Sequence, residues 1–107
     1  MKQFEAYMIS IRKDKKMPTV IVKGKITKGY DQWVTAFDSA ETLRSEKYGI
    51  TTIYRGKDLN EPDTIHAVMQ TPSMEALQSH MENDAHIIAE AGGDPNPDAN
   101  SVSIASD

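Results

Sequence analysis

Residues 50–73, ITTIYRGKDLNEPDTIHAVMQTPS, contain the signals that decide the fold. Residues 50–55 and 64–70 are short runs rich in apolar and β-branched residues, a composition typical of β-strands. The polar loop between them contains Pro62, which favours a turn. Residues 71–73, TPS, predict the start of a helix, because a hydroxyl side chain caps a helix and proline fits its first turn. This stretch therefore predicts two strands followed by a helix.

The rest of the chain extends this pattern on both sides. Residues 19–26, TVIVKGKI, predict a strand with one apolar face, and residues 101–106 predict a short last strand at a sheet edge. The helix after the first strand has a capping-box pattern that predicts a break with Asp38 as the cap, and Gly49 suits its end. The second helix ends at Gly92. This order predicts an α+β, ferredoxin-like βαββαβ antiparallel sheet with two helices on one face, its first strand between the third and the last.

We expect a single domain over residues 1–107, because a chain of this length buries roughly 65% of its unfolded surface and supports one modest core. Residues 18–107 form the predicted ferredoxin-like core, and residues 1–17 are an N-terminal extension or extra strand. Residues 3–11, QFEAYMISI, are typical of a strand. They form either a hairpin with residues 19–26 or an accessory extension, and both alternatives are open at this stage.

Composition excludes several classes of site. The chain has no cysteine, so disulfides, thiolate nucleophiles and zinc sites with cysteine ligands are excluded. No window of about 18 residues is continuously apolar, so we expect no membrane-spanning segment and no membrane partner. The stretch from Met1 to Ile11 is too short and too polar for a secretory signal, and a cytoplasmic location is the resulting expectation.

The charges are segregated along the chain. Residues 1–29 carry eight basic and two acidic side chains, whereas residues 58–107 carry ten acidic side chains and neither Lys nor Arg. A basic arm suits nucleic acid or anionic lipid, and the alternative is that the oppositely charged parts are neighbours in the fold. The basic run at residues 12–16 has no interleaved aromatic residue on which bases could stack, so we expect no nucleic-acid partner.

The second face of the predicted sheet is not consistently polar. Ile21, Ile53 and Val68 alternate with residues that are also apolar, whereas an antiparallel sheet with a solvated face usually alternates apolar and polar residues. Monomers seldom expose an apolar face of this kind. We therefore predict a homodimer in which the sheets of two copies pack face to face.

The first helix and the strand after it also carry a resemblance to a known family. The pattern consists of Trp33, Phe37-Asp38-Ser39, Gly49-Ile50 and Tyr54-Arg55-Gly56. It resembles an uncharacterised family of marine bacterial and cyanobacterial proteins in the dimeric α+β barrel superfamily. That superfamily includes cofactor-independent monooxygenases, haem-degrading enzymes, isomerases and plain ligand-binding proteins, so the fold does not decide the function. The resemblance implies a pocket between the sheet and the two helices.

Arg44 is the most informative residue for such a pocket. On a continuous helix it points between Trp33 and Phe37, and a charged group in an apolar stripe needs a partner or a route to water. Arg44 either binds the carboxylate of a ligand, or it turns outward or pairs with an acid such as Asp84. Aromatic and methionine side chains around it favour an apolar or amphipathic ligand. The candidate ligand-binding residues are Trp33, Phe37, Arg44, Tyr54, His66, Met69, Leu77, His80 and Met81.

His66, His80 and Tyr54 are the candidate proton-transfer groups. His80 and Asp84 are four residues apart on the second helix, where an acid can orient a histidine, but we interpret the pair as a surface contact. The histidines of this helix lie on different sides of it, so they predict no metal site, and no cofactor is expected.

Two functional hypotheses from different classes follow. The first is a dimeric binding protein whose helix–sheet cavity takes an apolar or amphipathic small molecule, such as a fatty-acid-like carboxylate. The alternative, which rests on the resemblance and on the titratable groups, is a cofactor-independent monooxygenase or isomerase acting on a similar ligand. Dimerisation without any ligand is a third interpretation.

Overall fold

A computed structural model of the chain describes residues 17–94 and 96–106, and the strand predicted at residues 3–11 lies outside these ranges. Strands and helices follow the predicted order, but each predicted helix is divided into two. The strands are β1 (Thr19–Lys25), β2 (Thr51–Lys57), β3 (Thr64–Gln70) and β4 (Asn100–Ala105). The helices are α1 (Tyr30–Ser39), α2 (Glu41–Tyr48), α3 (Met74–Asn83) and α4 (Ala85–Glu90), and a 3₁₀ turn at Pro97–Ala99 precedes β4.

The four strands form one antiparallel sheet in the order β2-β3-β1-β4. β1 lies between β3 and β4 as predicted, and the ferredoxin-like α+β fold is confirmed. Both edges of β1 are occupied by described strands, and the predicted hairpin and accessory extension at residues 3–11 lie outside the described residues. Lys23 of β1 lies between β3 and β4, whereas Lys25 pairs with Thr64 and its carbonyl oxygen accepts a hydrogen bond from the backbone N–H of Asp94. The basic β1 is therefore flanked by segments from the acidic half of the chain.

The first predicted helix breaks at Ala40. Asp38 does not cap α2, because its carboxylate accepts hydrogen bonds from the guanidinium group of Arg55 on β2, with Oδ1 3.1 Å from Nε. The predicted break is confirmed, and the predicted cap is wrong. Gly49 ends α2 with a φ of 73°, the left-handed conformation expected of a helix-terminating glycine.

The second predicted helix begins at its predicted cap but contains a break that the sequence analysis missed. The Ser73 hydroxyl accepts a hydrogen bond from the backbone N–H of Ala76 at 3.0 Å and so caps α3. The helix is interrupted at Asp84, where a φ of −113° departs from helical values. No glycine or proline marks this position. The Asp84 carboxylate instead turns toward His80.

Two apolar clusters fill the space between the helices and the sheet, one near each end of β1. The first contains Val20 and Ile50, the second contains Trp33 and Ile65, and Phe37 packs against both. Burial of a side chain of this size contributes about 1.5–3 kcal/mol to folding. These clusters therefore fix the distance between the helical layer and the sheet.

The helical layer stops short of β4. Val102 and Ile104 lie opposite Val22 and Val20 in the sheet register, which places their side chains on the helix-facing side. They are nevertheless 48% and 41% exposed. The described helices therefore leave an opening between themselves and this edge strand.

The other side of the sheet, called here the outer face, contains Ile21, Tyr54, His66 and Val68. Ile21 and Tyr54 flank Val68 in the register, and His66 lies two residues before Val68 on β3. Ile21 is 43% and Tyr54 is 57% exposed, while Val68 is half-buried. A β-bulge in β2 falls at Ile53, whose side chain is also exposed. The predicted exposure of apolar side chains on this face is confirmed.

Candidate functional site

A cavity of about 210 Å³ lies between the helices and the helix-facing side of β1 and β3. Its walls are mostly apolar, and the exposed Val102 on β4 marks its open side. The sheet contributes Val22, Gly24, Ile26, Ile65, Ala67, Met69 and Val102, and the helices contribute Trp33, Ala36, Phe37, Ala40, Arg44, His80, Met81, Ile87, Ile88 and Ala91. Lys25, Gly93, Asp94 and Asn100 complete the lining. The cavity occupies the place that the resemblance implied.

The structure brings six of the nine predicted ligand-binding residues together around this cavity. They are Trp33, Phe37, Arg44, Met69, His80 and Met81. That these six bind a ligand stays a prediction. Leu77 is not in the cavity wall, because it packs into the core cluster that contains Tyr48 and Met69.

Tyr54 and His66 are on the outer face and do not line the cavity, so their assignment to it is wrong. Thr52 lies opposite the buried Met69, and strict alternation would give Tyr54 the same helix-facing side. The bulge at Ile53 adds one residue and turns Tyr54 to the outer face. His66 alternates with Ile65 and Ala67, which are buried under the helices, so its own side chain points the other way.

Arg44 is the buried charged group of the cavity wall, with only 3% of the residue exposed. Its Nη2 donates hydrogen bonds to the Phe37 carbonyl oxygen at 2.8 Å and to Glu41 Oε1 at 3.0 Å. The guanidinium group lies 3.8 Å from the centre of the Phe37 ring. Arg44 therefore does not turn outward, and that alternative is wrong. It does pair with an acid, as the other alternative expected, but that acid is Glu41 and not Asp84.

One hydrogen-bond donor of Arg44 is buried without an acceptor. Its Nε is buried and has no hydrogen-bond partner among the described residues. An unsatisfied buried donor costs about 1–3 kcal/mol, and more when the group is charged, so native structures seldom keep one without a reason.

Glu41 holds the other side of the Arg44 guanidinium group. Its Oε1 also accepts a hydrogen bond from the Thr52 hydroxyl at 2.6 Å. Partial burial by itself raises the pKa of Glu41, but the hydrogen bonds from Thr52 and Arg44 outweigh it and hold the pKa below its usual value of 4.5. Glu41 is therefore ionised at neutral pH and anchors Arg44 from the solvent side, with 40% of its side chain exposed.

His80 and Asp84 form a buried pair at the cavity wall, and their interpretation as a surface contact is wrong. The two residues are 6% and 5% exposed, and His80 Nδ1 lies 3.0 Å from Asp84 Oδ2. The break between α3 and α4 turns Asp84 inward, and the Tyr48 ring covers the pair with its centre 5.2 Å from that of the imidazole.

The environment of Asp84 favours its ionised form. Burial by itself raises the pKa of this carboxyl, but hydrogen bonding by His80 and Tyr48 and the electrostatic influence of His80 and Lys47 outweigh burial and lower it. The ionised carboxylate of Asp84 can therefore accept a hydrogen bond from the proton-bearing nitrogen of His80 at neutral pH.

His66 has a carboxylate partner of its own on the outer face. Its Nε2 lies 2.7 Å from Asp58 Oδ1, and Asp58 Oδ2 accepts hydrogen bonds from the backbone N–H groups of Asn60 and Glu61. These hydrogen bonds, that of His66 first, lower the pKa of Asp58 to about 2. This pair shapes the loop between β2 and β3 and lies away from the cavity.

The sequence analysis did not anticipate the small residues that make room for the cavity. Ala36 and Ala40 lie on the apolar stripe of α1 where larger side chains would fill the space, and Ala91 does the same after α4. Alanine in an apolar stripe is a signal for close packing or for a cavity, and only the position of the sheet distinguishes the two.

Two kinds of site are absent from the described part of the chain. It contains no group of three or more His, Cys, Asp or Glu side chains that could hold a metal ion. None of its helices is long and apolar enough to span a membrane. The cytoplasmic location and the lack of a cofactor stay predictions.

The fold is shared with solved structures that are distant in sequence. A Nitrosomonas europaea protein described as "Putative antibiotic biosynthesis monooxygenase" has a TM-score of 0.60 at 12% identity, over 85% of this chain and 89% of that chain. The protein of the same description from Chloroflexus aurantiacus J-10-fl has 0.56 at 16% identity, over 83% and 92%. A Bacteroides thetaiotaomicron VPI-5482 protein of unknown function, described as "Possible Oxidoreductase", has 0.60 at 11% identity, over 87% and 99%. At these identities the likeness establishes the fold class.

Within that fold class, the chain belongs to the family described as "Domain of unknown function (DUF3764)", which matches residues 17–98. The predicted membership of an uncharacterised family is confirmed, whereas the predicted marine bacterial and cyanobacterial origin stays a prediction. No curated protein is significantly similar to this chain.

Proposed function

We propose that the protein binds an amphipathic carboxylate, such as a fatty-acid-like molecule, in the cavity between its helices and its sheet. The observation that carries this proposal is the buried positive charge of Arg44 in a cavity wall that is mostly apolar, with one N–H that no described residue accepts. A ligand carboxylate supplies an anionic acceptor for this guanidinium group, and charge-assisted hydrogen bonds of this kind are stronger than neutral ones.

The remaining walls suit the apolar part of such a ligand. Trp33 and Phe37 are stacked with ring centres 4.8 Å apart and form one side. Met69 and Met81 line the cavity as well, and methionine side chains adapt to flexible apolar ligands. The opening beside β4 provides the route by which a ligand enters.

A second candidate function is a cofactor-independent monooxygenase or isomerase acting on a similar ligand. The specific observation in its favour is the buried His80–Asp84 pair at the cavity wall, which supplies a group able to take up a proton. Two structures of the same fold are described as monooxygenases of antibiotic biosynthesis, and that description belongs to those proteins.

We also propose that two copies pack through their outer faces. Ile21 and Tyr54 are exposed there around the half-buried Val68, and a contiguous apolar area on a sheet is typical of an interface. In this arrangement the second copy covers the outer face, and the cavity on the opposite side of the sheet stays accessible in both copies.

Native mass spectrometry tests the binding proposal on the intact chain. We expect the purified protein to carry a small molecule, which is identified after denaturation, or else to take up added decanoate but not decanol. Arg44→Gln removes the anchoring charge and should abolish decanoate uptake. Arg55→Gln is the matched control, because Arg55 lies outside the cavity and pairs with Asp38.

Each variant loses one positive charge, so any loss of nonspecific electrostatic binding of decanoate should be equal in the two. Equal decanoate binding by wild type, Arg44→Gln and Arg55→Gln would reject the anchoring role of Arg44. If no carboxylate, alcohol or co-purified molecule is bound at all, the cavity is not a binding site for this class of ligand.

A further inference from the structure

The His80–Asp84 pair fixes which nitrogen of the imidazole carries the proton. Asp84 is ionised and can only accept a hydrogen bond, and its Oδ2 lies 3.0 Å from His80 Nδ1. Nδ1 must therefore be the protonated nitrogen of the neutral ring, which leaves Nε2 with a free lone pair. Among the described residues, His80 Nε2 has no hydrogen-bond partner, although the residue is 6% exposed and lines the cavity.

The groups packed around the pair come from several elements. The Tyr48 ring from α2 covers the imidazole, and the Tyr48 hydroxyl accepts a hydrogen bond from Asn83 at 3.4 Å. Lys47 is close enough to act on Asp84 electrostatically, and Arg44 lines the same cavity as His80. Asp84 is thus the anionic partner able to stabilise a proton taken up by His80.

We propose that His80 Nε2 is the proton acceptor of the cavity and that the ligand is a carboxylate with a second, acidic group. That group is a phenol O–H or the C–H next to a carbonyl group. This inference rests on the proposed function, because Arg44 holds the carboxylate end of the ligand while His80 meets the acidic group.

The proton transfer is balanced without a further reactant. The O–H or C–H bond of the ligand breaks, its electron pair stays on the ligand as a phenolate or enolate, and the proton forms a bond to Nε2. The resulting imidazolium is held by the Asp84 carboxylate through Nδ1. Return of the proton to the same atom restores the ligand. If a C=C bond adjoins the acidic C–H, the anion is a dienolate, and return of the proton to its γ-carbon moves the double bond and isomerises the ligand.

The probe 4-hydroxy-3-nitrophenylacetate tests this assignment. It has a carboxylate for Arg44, an aromatic body for the apolar walls, and a phenol whose ionisation changes its visible absorbance. We expect the bound phenol to ionise about one pH unit or more below the free probe, because His80 takes up the proton and the new imidazolium stabilises the phenolate.

Substitutions separate this effect from binding. His80→Asn keeps an N–H near the position of Nδ1 for Asp84 but removes Nε2, so the shift should vanish while the probe still binds. Asp84→Asn should reduce the shift, because the amide no longer fixes the tautomer. His86→Asn is the matched control, since His86 is exposed on α4, and it should keep the full shift. Arg44→Gln tests the proposed function separately, through the binding constant.

The assignment is overturned if the probe binds and its ionisation is the same in wild type and His80→Asn, a result that leaves the proposed carboxylate binding intact. Nitrogen NMR of the ligand-free protein provides a readout that does not depend on the probe. An unprotonated Nε2 on neutral His80, lost as the preferred state in Asp84→Asn, supports the assignment. A protonated Nε2 in the wild type overturns it, whether or not the probe binds.

Discussion

In the proposed binding mode, Glu41 would control how much of the Arg44 charge a ligand can use. Its carboxylate accepts from Arg44 Nη2 at 3.0 Å and from the Thr52 hydroxyl at 2.6 Å. It therefore stabilises the buried guanidinium group and at the same time competes with a bound carboxylate for it. Removing the charge of Glu41 should have opposite effects on stability and on affinity.

We expect Glu41→Gln to bind decanoate roughly twofold to fivefold more tightly, which corresponds to about 0.4–1 kcal/mol for a partly exposed ion pair. Its free energy of unfolding should fall, because the buried Arg44 loses its charged partner. Calorimetric titration and urea denaturation measure the two quantities. Glu46→Gln, an exposed change on the same helix, should leave both unaltered. Weaker binding by Glu41→Gln would show that Glu41 orients Arg44 for the ligand instead of competing with it.

The ionisation of Asp58 should make the free energy of unfolding depend on pH in the acidic range. Its pKa falls from 3.8 to about 2 in the folded protein, chiefly through the hydrogen bond with His66. A carboxyl with a lowered folded pKa stabilises the fold above its unfolded pKa, and this contribution is lost as pH falls through the folded value. Asp58→Asn should thus be less stable than wild type at pH 7.

The stability difference between wild type and Asp58→Asn should stay constant at neutral pH and shrink as pH falls from about 4 to about 2. Urea denaturation across this range measures it. Asp98→Asn, whose carboxylate forms no side-chain hydrogen bond among the described residues, should differ little from wild type at any pH. A difference for Asp58→Asn that persists unchanged at the lowest pH would contradict the assignment.

At the scale of the elements, the start of α3 was predictable and the break after it was not. Ser73 and Pro72 are local signals, and the cap they predict is present. The break at Asp84 has no local signal, because it depends on a carboxylate that turns toward His80 and on a Tyr48 ring from another helix. The burial of the His80–Asp84 pair was missed for this reason.

In the strands, too, local composition predicts the bounds of an element but not the side on which every side chain lies. The span of β3 follows from its composition, and the predicted and observed bounds agree. The side on which Tyr54 lies depends on a bulge at Ile53, and one extra residue reverses every side chain after it. Arg44 was predicted to face the cavity from helical spacing, but its unpartnered Nε depends on where Glu41 and Phe37 place the guanidinium group.

The contribution of the Ser73 cap to the free energy of unfolding can be measured by removing its hydroxyl group. We expect Ser73→Ala to lower the free energy of unfolding by about 1 kcal/mol, because the backbone N–H of Ala76 loses its acceptor. Ser79→Ala, in the exposed interior of the same helix, should be neutral or slightly stabilising, since alanine favours helix. Urea denaturation midpoints compare the two. Equal destabilisation by both changes would mean that the hydroxyl of Ser73 is not the cap.

For the whole molecule, the proposed interface on the outer face can be tested with a charge at its centre. Ile21 lies opposite Val68 and Ser103 near the middle of this face, and a charge there would have to be buried between two copies. We expect wild type to be a dimer by light scattering at micromolar concentration and Ile21→Glu to be a folded monomer. Met74→Glu, an equally drastic change at an exposed position on the helical layer, should stay dimeric. A monomeric wild type, or a dimeric Ile21→Glu, would reject this interface.

Trp33 makes ligand binding in the cavity directly measurable, because it is the only tryptophan of the chain and it lines the cavity. The measurement is a fluorescence titration of the intact protein with decanoate, with decanol and the Arg44→Gln variant as comparisons. We expect a saturable change in Trp33 emission at one decanoate per chain, absent with decanol and lost in Arg44→Gln. An unchanged Trp33 emission at saturating decanoate, or the same response in Arg44→Gln, would contradict a cavity that holds a carboxylate through Arg44.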